Sequence, residues 1–268
     1  MKAWSKAWIA LAMTACLLLT AAIARAELVS LFWPESEEDF LTFTMQDSLV
    51  LLTAHVILDI GPDSHNEMQF YAEYRNDGDE SICADYNILC DADGWSEEGG
   101  QLLYSMPRVL QPGQTGYFCG YMSFGNYWQA DEEYVAMEEL RRLDIGLFAS
   151  DDLFGIGEDV STPQVAATVE RLDPQRNDGI IWQTLRVTLT NVSGEDLFDP
   201  RIAVGAYDAQ GRLLYVPPDG AMDGIVMETV LVIPDGGSLI VDVPVYAETG
   251  AQMEACGVED AGYRCIVF

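Results

Sequence analysis

The chain has 268 residues, 44 of them acidic and only 13 basic, for a formal net charge of −31. A field this negative repels nucleic acid and anionic lipid surfaces, and it favours divalent cations or basic partners. Apolar residues make up 49% of the chain, enough to build a real core, which excludes a disordered acidic tail.

Residues 1–26 read as a secretory signal. Lys2 and Lys6 form a positive start, Trp8 to Ala24 is uncharged and largely apolar, and Ala24-Arg25-Ala26 fits small-x-small cleavage with Glu27 as the new N-terminus. An uncleaved membrane anchor and a lipoprotein at Cys16 are the rival readings. The apolar run is short for a spanning helix, and it continues past Cys16 where a lipoprotein turns polar. Cleavage leaves ten basic residues against the 44 acids, a formal charge of −34. It also leaves no lysine, because Lys2 and Lys6 are the only two in the chain. The expected location is secreted or cell envelope, with no membrane insertion after cleavage.

Leu28 to Ile60 supplies extra strand material, in which Leu49 to Leu58 reads as a central strand or a buried helix turn. Met68 to Tyr74 alternates with period two and ends at Asn76-Asp77-Gly78. Thr184 to Thr190 does the same and ends at Asn191-Val192-Ser193-Gly194. This period predicts strands with one face buried and one wet, and the Asn/Asp/Gly clusters are reversal chemistry.

The two segments open a longer self-similarity. Asp85 to Cys90 runs into Asp91-Ala92-Asp93-Gly94, as Ile202 to Tyr207 runs into Asp208-Ala209-Gln210-Gly211. Leu102-Leu103-Tyr104 then matches Leu213-Leu214-Tyr215, and Leu110-Gln111-Pro112-Gly113 matches Ile233-Pro234-Asp235-Gly236. Each turn precedes a strand, Gly116 to Met122 and Ser238 to Tyr246, and each copy closes on a last strand, Leu143 to Ala149 and Tyr263 to Phe268. Between the first pair of strands and the last, Asp131 to Arg142 places Tyr134, Met137 and Leu140 roughly on one helical face and reads as a short helix. The expected fold is all-β, with two tandem antiparallel β-sandwich domains. The expected bounds are a signal helix at 1–26, a first domain at 27–150, a polar linker at 151–163 and a second domain at 164–268.

The run Val187-Thr188-Leu189-Thr190-Asn191, followed by a strand ending Tyr207-Asp208-x-x-Gly211, resembles the bacterial FxLYD-type domains. The first copy shows Asn76, Asp91-Ala92-Asp93-Gly94 and Leu110-Gln111-Pro112-Gly113, but carries Cys90 where the aromatic is expected. The second copy departs at the turn, with Ile233-Pro234-Asp235-Gly236. The resemblance implies extracellular, often duplicated, immunoglobulin-like β-sandwiches and no catalytic residues. A fold of this kind does not assign an activity.

Five cysteines remain after cleavage, and an oxidising exterior lets them pair. Cys256 and Cys265, which have no other partner in the C-terminal half, are expected to bridge; in the N-terminal half Cys90–Cys119 is the preferred bridge, with Cys83 left over. With no Cys-x-x-Cys and only His55 and His65, a structural zinc site is not expected. His55 sits in an apolar strand and reads as a packed histidine, His65 reads as an exposed turn residue, and no Gly-x-Ser-x-Gly elbow accompanies either. Paired carboxylates carry no weight where 44 acids make chance pairs inevitable.

A candidate calcium set is Asp91, Asp93, Glu97 and Glu98 beside Gly94, although EF-hand spacing is not met. The linker acids Asp151, Asp152, Glu158 and Asp159 form a weaker set. Trp95, Tyr127 and Trp128 follow turns and are candidates to present flat rings to a glycan, against the plainer reading that they cap the core. These readings lead to a non-catalytic secreted or envelope protein with no cofactor, used for interaction or adhesion with an extracellular protein or glycan. A calcium- or carbohydrate-binding module is the alternative, and an uncharacterised hydrolase the remotest.

Overall fold

The computed structural model describes residues 27–35, 38–46, 48–60, 67–92, 95–98, 101–107, 109–123, 140–150, 165–177, 180–198, 200–217, 232–246 and 261–268. The expected signal lies outside them. The described part is all-β and contains no helix. Its first half holds β1 (Glu27–Trp33), β2 (Leu41–Met45), β3 (Leu49–Ile60), β4 (Glu67–Asn76), β5 (Ile82–Ala92), β6 (Trp95–Glu98), β7 (Gln101–Met106), β8 (Val109–Leu110), β9 (Thr115–Ser123) and β10 (Leu140–Ser150). The second half holds β11 (Val165–Arg171), β12 (Gln175–Asn177), β13 (Ile180–Asn191), β14 (Leu197–Phe198), β15 (Ile202–Tyr207), β16 (Leu213–Tyr215), β17 (Val232–Ile233), β18 (Ser238–Tyr246) and β19 (Gly262–Val267).

Two five-stranded sheets form the first half. Sheet I has the order β1-β3-β4-β9-β7; sheet II runs β2-β10-β5-β6, with β8 also on β5. All these pairs are antiparallel except β2 with β10, which is parallel. Between the sheets lies one apolar cluster, with Val56, Leu58, Phe70, Ala72, Tyr74 and Phe118 from sheet I and Ile88, Cys90, Leu143, Ile145 and Leu147 from sheet II. The register of β3 against β4 shifts between Leu51 and Thr53. This bulge adds one residue, so that Leu49 and Leu51 before it and Ala54, Val56 and Leu58 after it all reach the same cluster.

The second half repeats the scheme more sparely. Sheet III pairs β11 and β18 on either side of β13, with β12 on the start of β13, and sheet IV runs β16-β15-β19. Strands β14 and β17 form a separate ribbon. The register repeats as well as the strand order. Ala72 faces Phe118 and Glu73 faces Tyr117 in the first half; Val187 faces Val241 and Thr188 faces Ile240 in the second. The pairs Ile82–Leu110 and Cys83–Val109 likewise correspond to Leu197–Ile233 and Phe198–Val232.

The strand-ending asparagines explain why the two halves close alike. Asn76 is fully buried; its amide donates to Glu80 O (2.8 Å) and Leu110 O (3.2 Å), and its Oδ1 accepts from Gly78 N–H and Ser48 Oγ–H, both at 2.9 Å. Asn191, also fully buried, donates to Glu195 O (2.7 Å) and Ile233 O (2.9 Å) and accepts from Ser193 N–H (3.0 Å) and Oγ–H (2.7 Å). Each side chain therefore fills its whole capacity of two donors and two lone pairs. Each backbone also bonds twice to the turn before the late strand: Asn76 to Gly113 and Gln114, Asn191 to Gly236 and Gly237. Those turns require Gly113 (φ 75°) and Gly236 (φ 68°) at the left-handed position, where a Cβ is disfavoured.

Three sequence expectations change. Leu140 to Arg142, expected to end a helix, begin strand β10, because β5 offers them a ladder partner at Asp91 and Ala92; residues 131–139 lie outside the described part. The two Leu-Leu-Tyr runs are not equivalent: Leu102 to Tyr104 belong to β7 on β9, whereas Leu213 to Tyr215 belong to β16 on β15. The hairpin partner in the first copy is instead β6. Strand β4 has no wet face, since Gln69, Tyr71 and Glu73 are buried along with Phe70, Ala72 and Tyr74.

Candidate functional site

The second face of β4 is buried because the C-terminal half lies on it. One apolar cluster joins Ile57, Tyr71, Met106, Tyr117 and Cys119 of sheet I to Leu185, Val187, Val204, Tyr207, Tyr215 and Val243 of the second half. Sheet I thus contributes to two clusters by the period-two alternation of its strands. Strand β15 is buried along its whole length, which suits a strand covered on both faces. Gly205 marks its closest approach to sheet I: a Cβ there would stand 2.8 Å from the Tyr117 ring.

This joint holds three of the six buried polar side chains described, His55, Gln69 and Glu73. His55 on β3 is fully buried. Its Nδ1 lies 2.7 Å from the Leu214 carbonyl of β16, and its Nε2 lies 2.5 Å from Ser30 Oγ of β1. A carbonyl only accepts, so Nδ1 carries the proton and Nε2 accepts from the Ser30 hydroxyl. The ring stacks on Phe32 at 4.2 Å, and Tyr71 beside it meets Tyr215 edge-on at 5.2 Å. Burial lowers the imidazole pKa from 6.5 to about 4, with the Arg212 charge adding to the effect. The ring is therefore neutral near pH 7.

A second polar group sits further along the joint. Tyr117 and Tyr207 hydroxyls meet at 2.8 Å, and Tyr207 also bonds the Glu73 carboxylate. With Tyr207 donating to Glu73, Tyr117 donates to Tyr207. Burial pushes both phenols well up, so both stay protonated donors. Arg264 lies over the Tyr207 ring at 4.0 Å and reaches Glu73 at 3.7 Å.

At the rim, Arg212 lies over Phe32 at 4.2 Å and bridges Asp208 (2.6 Å) and Glu35 (2.9 Å). Desolvation works to raise the Asp208 carboxyl, but hydrogen bonds from the Arg212 backbone and guanidinium outweigh it and hold the group below the usual range. Asp208 is placed for this by the hairpin it opens, where its Oδ1 accepts from the Gln210 and Arg212 amides.

Ser30 and His55 make a nucleophile–base contact, and Ser30 is exposed. A base this hard to protonate, flanked by a guanidinium and lacking a carboxylate on Nδ1, is poorly matched to catalysis near neutral pH. The Nδ1 bond to Leu214 ties the two halves together.

The residues singled out in the sequence are scattered. Cys90 lies between sheets I and II, whereas Cys119 points to the other face of sheet I, into the joint. The expected Cys90–Cys119 bridge is accordingly not formed, and no disulfide occurs among the described residues. Cys256 lies outside them; burial pushes the Cys265 thiol up to about 12. Asp91 is the penultimate residue of β5, but Asp93 lies outside the described residues, as do the side chains of Glu97, Glu98 and Trp95 on β6. Tyr127, Trp128, His65 and the acids Asp151, Asp152, Glu158 and Asp159 also lie outside. Among the described residues no group of three or more His, Cys, Asp or Glu side chains is placed to hold a metal ion.

Sequence reasoning missed the joint. Its only local signal was the pattern of Gln69, Tyr71 and Glu73 on a strand face read as wet, where two long polar chains flank an aromatic. Nothing local tied that face to β15 or β16. No protein-family model matches the chain, and a search of curated proteins finds no match.

Proposed function

We propose that the chain is an exported, non-catalytic protein made of two copies of one immunoglobulin-like module, docked on each other and used to bind another protein outside the cell. The matching Asn76 and Asn191 centres and the matching ladder registers support two copies of one module. The turn motifs shared with FxLYD-type domains support the immunoglobulin-like assignment, and the segment 1–26 supports export.

One observation carries the binding role. The face of β4 and β9 that holds the second module has a counterpart on β13 and β18 that nothing in the described chain covers. Tyr117 is 1% exposed, while Ile240 at the same ladder position is 62% exposed. Around Ile240 lie Thr188 and the Arg186–Asp242 pair, which forms two 2.8 Å hydrogen bonds. An apolar residue inside a polar, charged rim is the anatomy of a small protein-binding patch.

The test immobilises the mature chain from Glu27 and exposes it to solubilised envelope proteins of the producing cell. The wild type retains a specific protein, and the double variant Ile240→Glu, Arg186→Glu loses it. Equal retention by both, or none by either, refutes this face as the binding surface.

A further inference from the structure

His55 is the one described histidine, and it joins the two halves directly. We propose that His55 is an acid-sensitive latch: protonation of its ring loosens the contact of β16 with β1, β3 and β4 while each half stays folded.

The neutral ring is fully satisfied, with one nitrogen tied to the C-terminal half at Leu214 and the other to Ser30 of the N-terminal half. A second proton at Nε2 is tolerated geometrically. Exposed Ser30 turns its hydroxyl and accepts, and the bond to Leu214 persists. The charge itself is what the site does not tolerate. The ring is fully buried, stacked on Phe32 and flanked by Tyr71. From the hairpin before β16, cationic Arg212 opposes the charge; Asp208 favours it, but Arg212 already holds that carboxylate and Glu35. On β4 the same sheet face carries Glu67, Gln69, Tyr71 and Glu73, of which Glu73 is engaged by Tyr207 and Arg264; on β3 it carries Asp59. Among the described residues no carboxylate bonds the ring itself.

Separation of the halves admits water to the ring, so proton binding and opening are linked. With the joint open the ring titrates near its ordinary 6.5; with it closed, at about 4. A lowered value in the closed state means that the preference for closure is complete above pH 6.5. It is lost as pH falls towards 4, by a factor on the order of 300 in all. The N-terminal half does not depend on this contact for its own core, because the neighbours Ala54 and Val56 point into the other cluster.

The Leu213 amide reports the joint, since it donates to Thr53 Oγ1 of β3 at 3.4 Å. Hydrogen exchange on the full mature chain, corrected for intrinsic rates, compares pH 7 with pH 4.5. The expected result is a fall in Leu213 protection of roughly two orders of magnitude, with Phe70 and Val187 amides still protected. His55→Gln, neutral throughout, shows no such fall. The same pH response in wild type and variant overturns the proposal, as does parallel loss at Phe70 and Val187, which is global unfolding. Should His55→Gln fail to fold, the imidazole resonances of the wild type decide, with His65→Gln assigning the two. Titration of His55 near 6.5 with Leu213 protection unchanged refutes the latch.

Discussion

Strands β4 and β9 and their counterparts β13 and β18 form ladders of matching register and differ in what covers them. The inward residues match in burial: Phe70, Ala72 and Tyr74 are fully buried, and so are Leu185, Val187 and Leu189. The outward residues diverge. The first pair presents Gln69, Tyr71, Glu73, Tyr117 and Cys119, all buried; the second presents Thr184, Arg186, Thr188 and Thr190, half-buried, with Ile240 exposed. Aromatic and long polar side chains on one half, and threonines with a surface ion pair on the other, distinguish the face that the C-terminal half covers from one that nothing among the described residues covers. The same framework therefore supports either fate, and the outward residues choose.

The sharpest test of that contrast is a pair of truncations at one ladder position. Tyr117→Ala empties a packed aromatic site in the joint and is expected to cost about 4 kcal/mol, read as a fall in urea unfolding midpoint. The asparagine centres come next. Asn76→Ala and Asn191→Ala each strand one buried carbonyl, that of Leu110 or Ile233, and a backbone amide, for an expected loss of about 2 kcal/mol apiece. A loss at one site and none at the other breaks the equivalence of the copies. The smallest effect falls on Ile240→Ala, expected to stay within about 0.5 kcal/mol by the same unfolding measurement; a loss comparable to that of Tyr117→Ala shows that the face is covered in solution.

Much of the framework was legible. The strands Ser238–Tyr246 and Thr115–Ser123 follow the turns Pro234-Asp235-Gly236 and Pro112-Gly113 because proline, aspartate and glycine encode the reversal locally. The asparagines were visible as strand ends, but their role as hubs was not. A side chain that bonds carbonyls 34 and 42 residues away leaves no local trace. The Cys90–Cys119 pairing failed for a related reason. Both sit in apolar strands, and only the facing of each strand puts one on either side of sheet I. His55 was read as packed, which it is, but its partners Ser30 and Leu214 lie 25 and 159 residues away.

By itself the sequence determined the all-β class, the acidity, the turns and the order of the matching strands. These depend on alternation, charge count and turn chemistry, all of which act over a few residues. Tertiary structure alone decided which face of β4 meets the second half, where the cysteines point, and that His55 is locked between Ser30 and Leu214. Those outcomes depend on which sheets stack, and stacking brings together residues whose separation along the chain carries no energetic signature until the fold is closed.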